Sequence, residues 1–425
     1  MLKSAISDDR MAKAWGLLAL LTALNILSWV DRQIIPALAP LLMADLGLTN
    51  AQVGLLHGYA FILCFIAAGI VLGPIADRVH RPRLIAAGLL AWSAFTAASG
   101  LARSFTHLAA ARVMVGVGEA TLTPAALAML GDAFPARWRA RAAGIFAIGL
   151  PIGSGLSLVV AGLLAPRIGW RACFFALGTI GIVAAILVAL VPEVRDRVGR
   201  PVTGRRAGTD HLLTTVRGSP PLLYTIAGGV IVTFSTAATI HVITWLVRER
   251  GFEFREAALL TGGIYALAGT IGNIGGGWVA DWCEARWRGG RLWSLVATQL
   301  VLGPPTLVFF TAEPGSAAFY AGWVLSSLRG TIWYGPLYAA TQDLAPAASR
   351  ATAVAFLMLA INLLGAGPGP WLAGAIGDRW SLTAGLVLTT SAGFLSIIPF
   401  ALAARSLQLP SGEAERSRDR ERRSP

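Results

Sequence analysis

One apolar run, "HLAAARVMVGVGEATLTPAALAML" (107–130), holds two formal charges, Arg112 and Glu119. An ionised side chain in hydrocarbon is expensive unless it meets a partner or lines a water-filled cavity. The two residues are seven apart, two helical turns, and so share one face with Gly116 between them and Thr123 beyond. Two kinds of chemistry fit that spacing. One is a fixed ion pair, or a carboxylate hydrogen-bonded to a neighbouring helix. The other is a carboxylate that exchanges a proton as water access alternates, because burial favours its neutral form and a nearby guanidinium its charged form.

A second set lies in "NILSWVDRQ" (25–33). Asn25, Ser28 and Arg32 fall on one stripe, with Asp31 beside Arg32 and with Pro36 and Pro40 following. Asp31 and Arg32 either neutralise each other or join Arg112 and Glu119 as a proton-coupling set around one cavity. A third deep charge is Arg329 in "SSLRGTIWYGP" (326–336). It calls for Asp31, Glu119 or an anionic substrate group as partner. Asn273, Asn362, Thr123, Tyr265, Trp333 and Tyr334 are placed either to line the same cavity or to pack between helices. His241, toward the outer end of the seventh span, reads as a packing histidine.

The elements that position these residues are transmembrane helices. The chain has 425 residues, 55% of them hydrophobic and only 13% charged, where a soluble domain carries about a quarter charged residues. Runs such as "FFALGTIGIVAAILVALV" (174–191) are long enough to cross a hydrocarbon core of about 30 Å. Twelve spans are expected near 14–41, 51–76, 83–102, 107–131, 142–165, 172–191, 221–247, 256–280, 292–311, 316–340, 351–377 and 381–404. The first is expected to stay as a span, since no small-residue cleavage site follows it. Cys64, Cys173 and Cys283 lack metal-ligand spacing and read as buried hydrophobes. No metal or cofactor is expected.

The net charge of +13 sits in short loops and not on a soluble module, which argues against nucleic acid as a partner. One set of alternate loops is rich in arginine; the other holds Arg103, Arg167, Arg171, Arg248, Arg250, Arg255 and Arg379. The bias puts both termini in the cytoplasm, and the expected location is a bacterial inner membrane. The expected units are a six-helix bundle over 1–192, a cytoplasmic linker over 193–220, a second bundle over 221–404 and a disordered basic tail over 405–425 that touches anionic lipid.

The two bundles echo each other. "GPIAD" (73–77) recurs as "GWVAD" (277–281), and Asp132, Pro135 and Arg139 recur as Asp343, Pro346 and Arg350 at one constant offset. Parallel repeats around a central substrate site are a transporter architecture. "GPIADRVHRPR" (73–83) resembles the loop 2–3 motif of the major facilitator superfamily, with His80 at a position where glycine is usual. Arg112, Gly116 and Gly118 resemble its fourth-helix motif, and "GLPIGSG" (149–155) is similar to the motif of its fifth helix. "VDRQ" (30–33), "RVMVGVGEA" (112–120) and "NLLGAGPGPWLAG" (362–374) look more specifically like the Spinster family.

That resemblance implies an all-α membrane protein with twelve helices in two halves. The activity it implies is proton-coupled, alternating-access transport of a lysophospholipid- or sphingoid-type amphiphile. The partners are then protons, membrane lipids and a small-molecule or lipid-like substrate, and the transporter is a monomer. Gly73, Asp77, Arg78, Arg81, Asp132, Arg141 and Asp281 become the cytoplasmic gate, with Asp77 holding the halves together in the outward-open state. The family's acid in helix 11 is replaced here by Ala366, so no coupling role transfers to that position. A symporter of small organic anions or a drug exporter is the competing class. An enzyme is not expected, since no nucleotide loop, ligand cluster or nucleophile–base pair is visible.

Overall fold

The computed structural model describes residues 8–76, 79–192, 219–346 and 349–408. Those residues are helical apart from the short connections, with no strand among them. The first half contains α1 (Asp8–Leu46), α2 (Asn50–His57, then Tyr59–Ala76), α3 (Arg81–Ser99) and α4 (Phe105–Glu119, then Leu122–Ala133). Helix α5 begins with Ala136–Ala147 and continues into the long segment Gly149–Ala189, which turns at Gly169 into α6. Gly169 has φ of 78°, a left-handed backbone that glycine adopts without strain.

The second half contains α7 (Pro220–Ala237, a 3-10 turn at Ala238–His241, then Val242–Glu249), α8 (Phe254–Glu284) and α9 (Gly290–Thr311). It is completed by α10 (Ala317–Ile332, then Tyr334–Leu344), α11 (Arg350–Ala360, a π-helical Ile361–Ala366, then Pro368–Arg379) and α12 (Leu382–Ala392, Gly393–Ser396, Ile397–Gln408). Among the described residues nine helices are long and apolar enough to cross a membrane. The expected twelve are recovered from them. Arg137–Ala189 contains two spans, α3 opens on arginines that dilute its hydropathy, and Arg329 with the glycines, serines and aromatic residues around it does the same to α10. The linker 193–218 and the tail beyond 408 lie outside the described residues.

Most breaks have a proline three to four residues downstream. Proline lacks an N–H and its ring crowds the carbonyl four residues earlier. Pro124 thus interrupts α4 after Glu119, and Pro336 interrupts α10 at Trp333, the corresponding place in the second half. Pro151 does the same in α5, and Pro368 and Pro370 follow the π-helical turn of α11. The repeat extends to polar contacts. Arg81 at the start of α3 holds Asp132 at the end of α4 (2.5 Å), and Arg291 at the start of α9 pairs with Asp343 at the end of α10.

The first and last described residues, Asp8 and Gln408, lie on one face, called here the terminal face; the other is the far face. At the far face the first turns of α2 lie against Pro368–Arg379, and α5 lies against α8. Toward the terminal face, Ala136–Ala147, Tyr334–Leu344 and Arg350–Ala360 pack within their own halves. The molecule is therefore closed at the far face.

Helices approach through small residues, because without water to expel, close van der Waals contact is what holds them. A Cβ on Gly118 of α4 would sit 2.7 Å from the Gly88 carbonyl and 2.8 Å from Trp92 Cβ on α3, whereas one on Gly131 would meet nothing within 4 Å. We expect Gly118→Ala to destabilise the protein by about 1–3 kcal/mol through overpacking, and Gly131→Ala to be neutral or stabilising. Thermal unfolding of the two variants in the same detergent checks the contrast.

Candidate functional site

The deep charges of the first half meet where α1 and α4 cross. The two helices run antiparallel, so residues ascending α1 face residues descending α4. Arg112 Nη1 lies 3.6 Å from Asp31 Oδ1 and donates to the Asp31 backbone carbonyl at 3.3 Å. Thr96 on α3 donates its hydroxyl to Asp31 Oδ2 at 2.5 Å. A turn nearer the terminal face, Ser28 donates to Glu119 Oε2 at 2.9 Å. A helical side chain leans toward the N-terminus of its helix, and Arg32 follows that rule. Its Nε donates to the same Oε2 at 2.6 Å.

Arg112 and Glu119 therefore share a face, as their spacing requires, but each takes its partner from α1. Two carboxylates and two guanidiniums cancel in charge. They do not saturate one another. Glu119 Oε1, Asp31 Oδ1, and Arg112 Nε and Nη2 are buried with no hydrogen-bond partner among the described residues. A partly satisfied network in a low-dielectric interior is energetically sensitive to any proton or ligand that arrives. Glu119 is 0% exposed and the Arg32 side chain 17%, so Arg32 is the member that reaches solvent. Its guanidinium carbon lies 4.8, 5.0 and 4.6 Å from the ring centres of Trp29, Phe61 and Phe65, an aromatic box. Asn25 points elsewhere, donating to the Phe146 carbonyl of α5 at 2.7 Å. Thr123 is half-buried just past the break in α4.

Arg329 does not join this cluster. Its guanidinium turns into the second bundle, where Nε and Nη2 donate to Gln299 Oε1 of α9 at 3.1 and 2.8 Å, and Nη2 donates to Ser235 Oγ of α7 at 3.0 Å. The space exists because Gly393 of α12 has no side chain; a Cβ there would lie 2.5 Å from Nη2. Trp333 is fully buried in the core of the second half, stacked at 3.9 Å on half-buried Tyr334 and donating to the Gly330 carbonyl at 3.1 Å. Asn362 donates to the Met358 carbonyl of its own helix at 2.8 Å, and Asn273 is half-buried on α8. His241 is buried, with Nε2 2.8 Å from the Pro370 carbonyl.

At the terminal face, Asp281 accepts from Arg291 Nη2 at 2.8 Å, Arg81 holds Asp132, and Arg141 stacks on Trp138 at 4.7 Å. His80 caps α3, its Nδ1 accepting from Arg83 N at 3.4 Å, which is how the chain starts that helix without the usual glycine. Gly73 lies in α2, and Asp77 and Arg78 lie outside the described residues. The sequence pointed to neither Thr96, nor the aromatic box, nor the Gln299–Ser235 cradle. A hydroxyl or amide in an apolar span was the available signal for the polar three.

Because each buried carboxylate has a cation of its own, removing one partner strands a charge. Arg112→Met should destabilise the fold by about 3–5 kcal/mol, and Asp31→Leu combined with Arg112→Met by clearly less than the two single changes added together. A double-mutant cycle of chemical unfolding in detergent measures the coupling, and additive penalties would dissolve the pair.

The comparisons with known proteins agree with this architecture. Residues 21–370 match the family model for the Major Facilitator Superfamily. The chain is 32% identical over 374 residues to an MFS-type efflux pump of Mycolicibacterium smegmatis, covering 86% of this chain and 85% of that one. It is 24% identical over 383 residues to the sphingosine-1-phosphate transporter SPNS2 of Mus musculus, covering 85% and 69%. In fold it is similar to a bacterial homologue of the human lysosomal transporter Spinster, crystallised inward-facing and unoccupied, with a TM-score of 0.84 at 24% identity over 93% of this chain and 98% of that one. An integral membrane protein with twelve helices in two repeated halves, matched over most of its length by that family model, this chain belongs to the Major Facilitator Superfamily of transporters and is similar to its Spinster members.

Proposed function

We propose that the protein couples proton movement to transport of an amphiphile with an anionic headgroup, of lysophospholipid or sphingoid type. The observation that carries this reading is the hold of Arg32 on Glu119. The carboxylate has no exposure of its own, and its cation is the solvent-reaching member of the cluster. A proton on Glu119 removes the charge that holds Arg32, and the guanidinium then turns to an anion in the vestibule. Substrate headgroup and ionised Glu119 compete for one cation, which is what coupling requires. Asp31, held by Arg112 and Thr96, is the second proton site and retunes the first through the shared charges.

Trp29, Phe61 and Phe65 around Arg32 support a headgroup with an adjoining apolar chain. On this reading Arg329 braces the second bundle, its Nε and Nη2 already engaged. Thr123, Tyr334, Asn273 and Asn362 supply polar lining. The loop charges support cytoplasmic termini in a bacterial inner membrane, so the far face is periplasmic and the structure inward-open. Gly73, Asp77, Arg78, Arg81, Asp132, Arg141 and Asp281 form the cytoplasmic gate, and the transporter works as a monomer.

Proteoliposomes with an imposed pH gradient and a labelled lysophospholipid test the reading. Glu119→Gln should abolish gradient-driven accumulation while leaving the folded yield near that of the parent. Arg32→Ala should weaken binding of a phosphate-bearing lipid at least tenfold more than binding of a neutral one of equal chain length. Shortening the acyl chain should weaken binding by about 0.8 kcal/mol per methylene. Unchanged pH dependence in Glu119→Gln removes the coupling assignment. Tight, chain-independent binding of a sugar acid transfers the case to a carrier of small organic anions.

A further inference from the structure

Besides the packing of α1 and α2 on Ala238–Glu249 of α7, two unlike sets of contacts hold the closed far face. Between α5 and α8 they are steric: a Cβ on Gly155 would lie 2.6 Å from the Gly262 carbonyl, and one on Gly162 would lie 2.9 Å from Ala258 Cβ. Such a seam has shape but little direction. Between α2 and α11 there is hydrogen bonding as well. Among the described residues, every hydrogen bond that passes from one half of the molecule to the other ends on a single carboxylate, Asp378 near the end of α11. Its Oδ1 accepts from Asn50 N and Asn50 Nδ2, and its Oδ2 from Ala51 N, each at 2.8 Å.

Asn50 and Ala51 are the first two residues of α2. The opening N–H groups of a helix have no acceptor within it, and the aligned peptide dipoles place partial positive charge there. The chain answers part of that need locally. Thr49 Oγ1 accepts from Gln52 N at 3.2 Å, and Gln52 Oε1 accepts from Thr49 N at 3.0 Å, a capping box. The N–H groups of Asn50 and Ala51 are left to the other half. Close packing fixes the register, since a Cβ on Gly54 would sit 2.6 Å from the Pro370 carbonyl carbon and one on Gly374 2.5 Å from that of Asn50.

We propose that Asp378 is a positioning residue of the transport cycle, a cap supplied by one half to a helix of the other, which sets how long the far face stays closed. When the halves part there, Asn50 and Ala51 exchange a carboxylate for water, and the charge–dipole attraction is lost with it. The inference depends on the alternation of the two halves, not on the cargo or the coupling ion. Its failure would leave the proton-coupling reading intact, and the reverse holds as well.

Spin-label distance measurements on the full chain in nanodiscs test it. Cys64, Cys173 and Cys283 are first replaced by serine, and labels are placed at Ala44→Cys and Trp380→Cys, both exposed at the far face. Asp378→Asn keeps the shape but presents an NH2 where an acceptor is needed. It should lower the ratio of closed to open far-face distances by about tenfold, the scale of charge-assisted hydrogen bonds lost together. Asp378→Glu should restore part of the closed population. Asn50→Ala, which removes one bond of the three, should produce a smaller shift in the same direction and serves as the test if Asp378→Asn fails to fold. Distances identical to the parent in whichever variant is measured would overturn the proposal. So would lower thermal stability with the far face still closed, because that marks Asp378 as a brace and not a latch.

Discussion

A charge in the interior of a membrane protein has to be answered by another charge or by many dipoles, and the layout of this molecule follows from how each half meets that demand. In the first half the answer is pairwise. Asp31 and Arg32 on α1 meet Arg112 and Glu119 on α4, and the antiparallel crossing of two helices puts each acid beside a base. In the second half it is dipolar, since Arg329 is surrounded by an amide oxygen and a hydroxyl. The folds of the halves repeat, but the arrangement of their deep charges does not. A proton arriving at the first cluster changes a balance of four charges; the cradle of Arg329 holds no carboxylate to receive one.

What does repeat is the mechanical frame. The Arg81–Asp132 and Arg291–Asp343 pairs tie the same corner of each bundle, and a proline breaks the fourth and tenth helices at matching points. In the first half that break falls immediately after Glu119. The backbone groups freed beside the carboxylate interrupt the regular helix at the site where the sequence places its buried charge. Glycines then bring α3 against α4 and α5 against α8 at backbone distance, and this fixes where the crossings lie.

Much of this was legible in the amino-acid order, for local reasons. Hydropathy, loop arginines and the recurrence of "GPIAD" as "GWVAD" are short-range signals, and they carried the twelve helices, the two halves and the candidate charges. Partner choice was not legible. Seven-residue spacing put Arg112 and Glu119 on one face, yet which of them meets Asp31 depends on the direction in which α1 crosses. The depth of Arg329 in its span calls for an acid of the first half or an anionic substrate group as its partner. Its guanidinium turns the other way because Gly393 and Ser235, far away in sequence, leave room for it. Asp378 carries no local signal, because its value lies in the uncapped N–H groups of a helix more than three hundred residues earlier.

The π-helical turn at Ile361–Ala366, with Gly367 N donating to the Asn362 carbonyl at 2.8 Å, holds one residue more than an α-helical turn would. Each residue of an α-helix advances the face by about 100°, so everything after this turn is out of phase with everything before it. Gly374 and Asp378 owe their orientation toward α2 to that extra residue. Loss of one amino acid within 361–366 would leave the composition and apolar length of α11 almost unchanged while rotating its last three turns off their partner. Residue number is thus a constraint of its own in this segment, one that no substitution can meet and that an indel can break.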